Sequence, residues 1–373
     1  MGSRSSPAMP VQAAADDTAI HDMLLGKSPP TDQVMSQIAD YAPGTIGPGY
    51  ALNSPIDWRR LSPELYNKWM SHHRAANDRE AISAMNKAVF LGTIQATLSH
   101  QYPVTGSQGR LAWVRLPEDD MLKSIVNTTM VTEPDLSDGS LPHAPAGGGC
   151  KIEIWNMDAV DAGFALVDQG SPSPCVLNLA SAKNPGGGST WGTYAQEESI
   201  VYRSAYYRCL NATLEGDHHQ DRASVRTPTR YPWPDVCAVY SPDVLVFRQG
   251  KAEGNRFMQT PRPMSFLGVA AVKNPELVDS KLFSNDDYRL MHSKIRLIFE
   301  VARRRRHGAL VLGALGCGAY NCPNTEVARI FRELLDHYSP HFQRVVFAII
   351  DNRKRPGNHL DAFADVLGVE VSK

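Results

Sequence analysis

VLNLASAKNPGGGSTWGTYAQEESIVYRSAYYRCL, residues 176–210, passes from an apolar run through three adjacent glycines into an amphipathic pattern that starts near Gln196. The run reads as a buried strand and the pattern as a helix, so the glycines form the loop between them. Strand, bare loop and helix in succession are the unit of an α/β sheet. The same texture continues on both sides. CKIEIW, CVLNLA, DVLVFR, ALVLGAL and RVVFAII read as five buried strands. SNDDYRLMHSKIRLIFEVARRRRHG reads as a helix, with acids in its first turn, Tyr288, Met291, Ile295, Ile298 and Ala302 at helical spacing, and arginines then Gly308 at its end. NTEVARIFRELLDHY and HLDAFADVLG predict two more helices. The class expected over residues 150–373 is α/β.

Upstream the texture differs. Residues 1–56, with APGTIGPGYALNSP, read as a flexible tail. Residues 57–149 read as a helical extension and linker. Within them NDREAISAMNKAVFLGTIQATLS places Ile82, Met85 and Val89 on one side and Phe90, Ile94 and Leu98 on another, and PDLSDGSLPHAPAGGG is the connection.

The 373 residues are 42% apolar and 21% charged, as in an ordinary globular protein. With 38 Lys and Arg against 39 Asp and Glu there is no overall basic field, so direct nucleic-acid binding is not expected. No run approaches the length of a membrane span, and the opening MGSRSSPAMPVQ lacks the apolar core of a signal peptide. The six cysteines show no paired or zinc-ligand spacing and read as free thiols of an intracellular protein, cytoplasmic or nuclear. His218 and His219 have no companion ligands, so no metal is expected. Arg303–Arg306 read first as a complement to a helix dipole.

The glycine loop carries the chemistry. Three glycines let a ligand approach bare backbone and open φ values closed to other residues, and a phosphate or ribose is the natural occupant. Alone they would suit a linker, and Glu197 and Glu198 alone would suit an ordinary first helical turn. Successive helical residues point about 100° apart, so the two carboxylates cannot flank one bond, and two separate roles are expected.

The combination NLASAKNP, GGG and, seven residues on, QEE resembles the signature of the poly(ADP-ribose) glycohydrolases, in the bacterial-type branch found in bacteria and fungi. GALGCGAYNCP, residues 313–323, is similar to that family's second phosphate loop, and KIEIWNMDAVDAG to its first macrodomain strand. SPDVLVFRQG, PMSFLGVAAVKNP and NDREAISAMNKAVFLGTIQATL are similar to other parts of the branch, and the likeness extends over about residues 75–370. It departs at the N-terminal tail and in DHHQDRASVRTPTRYPWP, residues 217–234.

This resemblance implies a macrodomain-like three-layer α/β/α fold with a mixed sheet, binding ADP-ribose without metal or cofactor. It implies Glu198 as the catalytic acid and Glu197 as a ligand of ribose hydroxyls. Gly186, Gly187 and Gly188 would lie against the diphosphate and distal ribose, with Asn184 and Gln196 of the same motif also binding substrate. Gly316, Cys317, Gly318 and Ala319 would offer backbone amides, Tyr320 an aromatic face to the ribose, and Asp158 an acceptor for the adenine amino group. The implied partners are poly(ADP-ribose) or ADP-ribosylated proteins, acted on by a monomer.

A general acid must hold its proton near neutral pH, above the usual glutamate pKa of about 4.3. Burial beside Glu197 would raise the Glu198 pKa, and the helix N-terminus would lower it. Hydrolysis of mono-ADP-ribosyl proteins or acyl-ADP-ribose would use the same pocket, and a reader that binds without hydrolysis would need no acid there.

Overall fold

A computed structural model describes residues 70–71, 73–105, 111–136, 149–211, 229, 231–350 and 358–372. The tail expected at 1–56, most of the connection at 134–149, and His218 and His219 with most of the 217–234 segment lie outside the described residues.

In chain order the elements are α1 (Arg79–Ser99), β1 (Gln101–Thr105), β2 (Leu111–Arg115), α2 (Glu118–Val126), β3 (Thr129–Thr132), β4 (Lys151–Trp155), α3 (Ala159–Asp168), β5 (Pro174–Leu179), α4 (Gln196–Arg203) and α5 (Tyr206–Leu210). They continue with β6 (Cys237–Arg248), β7 (Phe257–Val269), β8 (Leu277–Val278), β9 (Leu282–Phe283), α6 (Asn285–Arg304), β10 (Ala309–Leu312), α7 (Asn324–Tyr338), β11 (Arg344–Ala348), α8 (His359–Leu367) and β12 (Val371–Ser372).

Eight strands form one sheet in the order β12-β4-β11-β10-β5-β7-β6-β3. Pairing is parallel from β12 across to β7 and antiparallel at β7–β6 and β6–β3, so the sheet is mixed. Alternation along the strands fills both faces: Val176 joins one apolar cluster, and its neighbours Cys175 and Leu177 join the other. The first cluster packs α1 to α5 on one face, and the second packs α6 to α8 on the opposite face. The expected three-layer α/β/α macrodomain-like architecture is therefore present.

Helix ends follow local chemistry. The Asp78 carboxylate accepts the Ala81 N–H at 3.0 Å to start α1, and His100 closes it in the left-handed region with its N–H on Ala96 O. Ser284 caps α6, and the arginine run ends it. Those arginines are used inside the molecule: Arg303 pairs with Glu300 at 2.7 Å, and Arg305 donates to Thr129 Oγ1 at 2.8 Å.

The N-terminal region is less purely helical than its sequence pattern suggests. β1 and β2 form a hairpin of their own, and β3 becomes an edge strand of the main sheet against β6. Tyr102 on β1 stacks on Phe247 and Phe257, which ties the hairpin to β6 and β7.

One titratable group sits in the frame of the sheet. His307 is buried just before β10, with Nδ1 2.8 Å from Ser173 O and Nε2 2.9 Å from the Tyr240 hydroxyl. Burial lowers its pKa below the ordinary 6.5, and the Ser173 bond opposes this only in part. The unfolded chain therefore binds this proton more readily, so His307 contributes stability above pH 6.5 that is lost as the pH falls toward the depressed native value. Urea midpoints measured from pH 7.5 down to 5 should show this loss, and His307→Gln should flatten that slope.

Candidate active site

Parallel neighbours β5 and β10 send their following helices to opposite faces: α4 packs in the first cluster and α7 in the second. Such a divergence opens a crevice beyond the carboxyl ends of the strands, where α/β sheets commonly bind ligands. A cleft of about 550 Å³ lies there, within the usual range for small-molecule sites. It is walled by the loops after β5, β7 and β10, and by Leu290 and Lys294 of α6. Asn184, Gly187, Gly188, Gln196, Glu197, Glu198, Gly316, Gly318, Ala319 and Tyr320 all line it.

Glu197 and Glu198 are the second and third residues of α4, and both are buried. Glu198 Oε1 accepts the Gly188 N–H at 2.7 Å and the Thr193 hydroxyl at 3.0 Å, and Oε2 accepts the Ala195 N–H at 2.8 Å. The Ala195 bond is one half of a capping box; alanine has no side chain to supply the other. Glu197 reaches instead to the end of β5, where Oε2 accepts the Ser181 N–H at 2.7 Å and Oε1 the Asn178 side-chain amide at 3.3 Å. Adjacent in sequence, the two carboxyls thus have separate sets of donors.

Burial pushes the Glu197 carboxyl well above the usual carboxylate range, the Glu198 charge adds to this, and the Ser181 and Asn178 donors pull part of the way back. A neutral carboxyl both donates and accepts hydrogen bonds.

The glycines serve this arrangement more than they serve a ligand directly. A Cβ on Gly187, whose φ is +62°, would lie 2.5 Å from Glu198 Oε1 and 2.8 Å from Glu197 Oε2. The carboxyls occupy the space that any other residue would fill. A Cβ on Gly188 would lie 2.2 Å from Thr193 Oγ1. The N–H groups of Gly187 and Gly188 are already given to Asn184 O and Glu198, so neither is free for phosphate.

Gly186 does not line the cleft. A Cβ there would meet Tyr207 and Val201 of the core at 3.0 Å, which makes Gly186 a packing residue. Gln196 lines the cleft but acts as a brace, its side chain bonding Leu179 N at 2.9 Å and Leu177 O at 2.6 Å along β5.

In the loop after β10, the N–H groups of Gly318 and Ala319 have no acceptor among the described residues, and no atom lies within 4 Å of a Cβ built on Gly318. Cys317 departs from expectation. Its N–H bonds Ala314 O at 3.1 Å and its buried thiol is turned away from the cleft lining. Burial pushes that thiol far above its ordinary pKa, so it is no thiolate nucleophile. Tyr320 stands half-buried with Lys273 Nζ 5.6 Å from its ring centroid.

Asp158 also departs from expectation. Its carboxylate caps α3 by accepting the Val160 N–H at 2.8 Å, takes the Ser199 hydroxyl at 3.0 Å, and pairs with Arg203 at 2.6 Å. It does not line the cleft. Ser199 and the buried Arg203 both belong to α4, so Asp158 holds the helix that carries the glutamates.

Several cleft residues had no sequence signal. Lys294 is buried, Nζ donates to Asp235 O, and burial lowers its pKa against the pull of Asp235. Trp191 is exposed in the cleft wall. Asn178, Ser181 and Thr193, which fix the glutamates, lie within the quoted motif, and their hydrogen-bonding side chains or strand-end position are the only hint of that role.

Residues 95–249 match the family described as microbial-type PARG, catalytic domain, where PARG stands for poly(ADP-ribose) glycohydrolase. Over that stretch the chain resembles that family. The poly(ADP-ribose) glycohydrolase of Thermomonospora curvata is 27% identical, covers 75% of this chain and 98% of its own, and superposes with a TM-score of 0.60. Its complex with the inhibitor ADP-HPD gives 26% identity and 0.58 over the same shares. The Deinococcus radiodurans poly(ADP-ribose) glycohydrolase in complex with ADP-ribose is 27% identical, covering 68% of this chain and 98% of its own with a TM-score of 0.52. No curated protein matches the chain. No helix among the described residues is long and apolar enough to cross a membrane.

Gly187→Ala should displace both carboxyls and lower turnover by about 10²-fold, the cost of a misplacement near 1 Å. Gly318→Ala, which meets open space, should stay within about two-fold, a surface-type effect. Initial rates and circular dichroism of the two variants check this. Because folding raises the Glu197 pKa, its contribution to stability is present below about pH 4.5 and is lost as the pH rises through the native value. Glu197→Gln should remove that alkaline loss in thermal midpoints taken from pH 4 to 9.

Proposed function

We propose that this chain hydrolyses the ribose–ribose O-glycosidic bonds of poly(ADP-ribose) and releases ADP-ribose, with Glu198 as the general acid. The observation that carries the reading is the pair of buried carboxyls, held by separate donors, that meets at Gly187 on the wall of the cleft. The match of residues 95–249 to the microbial-type poly(ADP-ribose) glycohydrolase model supports it, as do similar proteins whose structures hold ADP-ribose or ADP-HPD.

In this reading Glu198 gives its proton to the leaving ribose oxygen as the bond to the anomeric carbon breaks, leaving an oxocarbenium-like ribosyl group. Water attacks the anomeric carbon and returns a proton to Glu198. Glu197, whose pKa burial raises, holds the ribose hydroxyls. The N–H groups of Gly318 and Ala319 receive the diphosphate, and Lys183, Lys273 and Lys294 on the cleft wall add positive potential. The Tyr320 ring lies against the bound ribose. The loop amides and lysines supply the charge stabilisation, so the step needs no metal.

The enzyme acts on poly(ADP-ribose) or ADP-ribosylated proteins as a monomer, inside the cell, where its six unpaired cysteines stay reduced.

Glu198→Gln keeps the shape and, with its carbonyl oxygen at the Oε1 position, the Gly188 and Thr193 bonds, gives up the Ala195 bond, and removes the acid. Turnover of auto-modified polymer, followed as ADP-ribose by chromatography, should fall about 10² to 10⁴-fold. ADP-ribose affinity by calorimetry should hold. Near-normal turnover by this variant would sink the assignment.

A further inference from the structure

Lys251 opens the short 3-10 turn Lys251–Glu253 between β6 and β7, and it is half-buried. Its Nζ lies over the Tyr194 ring, 3.7 Å from the centroid. Among the described residues its side chain has no ion pair and no hydrogen bond, unlike the paired lysines Lys123 and Lys151. Two acids lie close by but at the neighbouring Gly250, where an added Cβ would be 3.0 Å from Asp161 Oδ2 and 3.1 Å from Glu253 Oε2. Asp161 is already paired with Arg203. The charged group that acts on Lys251 is a cation, Arg74.

Burial, with Arg74 adding to it, pushes the Lys251 pKa down from 10.5 to about 7. An ordinary lysine is protonated at neutral pH and is a poor nucleophile. One that is desolvated beside another cation keeps a free electron pair.

The amine touches the residue at the centre of the turn that holds Glu198. Tyr194 stands between Thr193 and Ala195, and both of these bond Glu198. Its ring packs on Tyr202, with centroids 5.6 Å apart, and the Tyr202 hydroxyl donates to Thr193 O at 2.6 Å. Its own hydroxyl donates to Ser199 Oγ on α4 at 3.3 Å. A shift of Tyr194 is therefore passed to the donors of Glu198.

We propose that Lys251 is a modification site: its amine takes the acyl group of a small acyl phosphate, and acylation weakens the hold on Glu198. The amine lone pair attacks the acyl carbon, and the C–N bond forms as the C–O bond to phosphate breaks. Inorganic phosphate leaves and carries away the amine proton. Arg74 supplies positive charge for such an anionic donor. The product amide is neutral, so it keeps its place on the Tyr194 ring but forfeits the cation–π attraction. The effect on turnover rests on the polymer-hydrolysis reading; the modification itself does not.

Wild type incubated with acetyl phosphate between pH 6 and 9, then digested and followed by mass spectrometry, gives an initial rate for each lysine. At pH 7.5 Lys251 should react about 10-fold or more faster than the exposed Lys123 and Lys151, and its rate should level off above about pH 7. Acetylated wild type should lose about 2- to 10-fold in polymer turnover, the range of one cation–π contact. Untreated Lys251→Gln should show the same loss, and Lys251→Arg, which keeps a cation, should be spared it on treatment. A Lys251 rate no greater than those of Lys123 and Lys151 would overturn the site. Labelling of Lys251 with no loss of turnover beyond that of treated Lys251→Arg would overturn the coupling to Glu198. A wild type that releases no ADP-ribose from polymer would overturn the hydrolysis reading instead, and the labelling rates would still decide the site.

Discussion

Three hydrogen bonds to one side chain organise the site. By accepting the N–H groups of Gly188 and Ala195 and the Thr193 hydroxyl, Glu198 closes the loop between the glycines and α4 into a fixed turn. A buried carboxylate must be matched by donors, because an unmatched one costs several kcal/mol. The chain meets that demand with its own loop, so the group assigned to chemistry is also the group that shapes its surroundings. Glu197 extends the arrangement to the sheet through Ser181 and Asn178, and Gln196 runs along β5 beside it. Three consecutive side chains at one helix start thereby fasten helix, loop and strand together.

The other end of α4 is fixed by charge. Arg203, almost wholly buried, lies between Asp158 and Asp161. Such a network gives little net stability, but breaking one partner is costly because a charge is left buried and unpaired. Its benefit is orientation: the helix is held at Ser199 and Arg203 from outside the cleft, and its first turn keeps the carboxyls against Gly187.

Much of this was legible in the sequence. The strand at CVLNLA, the helix beginning at Gln196, and the long helix from Asn285 to Arg304 follow from apolar period and end chemistry, which act locally. β7 was not read as a strand from its pattern because its first half, FMQTPRP, is polar and only partly buried. The hairpin β1–β2 and the edge strand β3 are short, and their partners lie far along the chain. Within the site, motif spacing brought the right loops together but did not say which way each side chain points. Gly186 and Cys317 turn inward, and Asp158 turns toward Arg203, because packing decides direction. Lys294 and Trp191 reach the cleft only through the tertiary fold.

The strand order also bears on how the chain is made. β4 lies between β11 and β12, the last two described strands in chain order, and β10 lies between β5 and β11. A nascent chain that has passed residue 179 therefore holds β4 and β5 apart, each with an unpaired edge, until more than a hundred further residues have emerged. Such non-local parallel pairing is intrinsically slow and leaves strand edges exposed to aggregation. The crevice between β5 and β10 correspondingly cannot form until β10 has emerged and paired with β5.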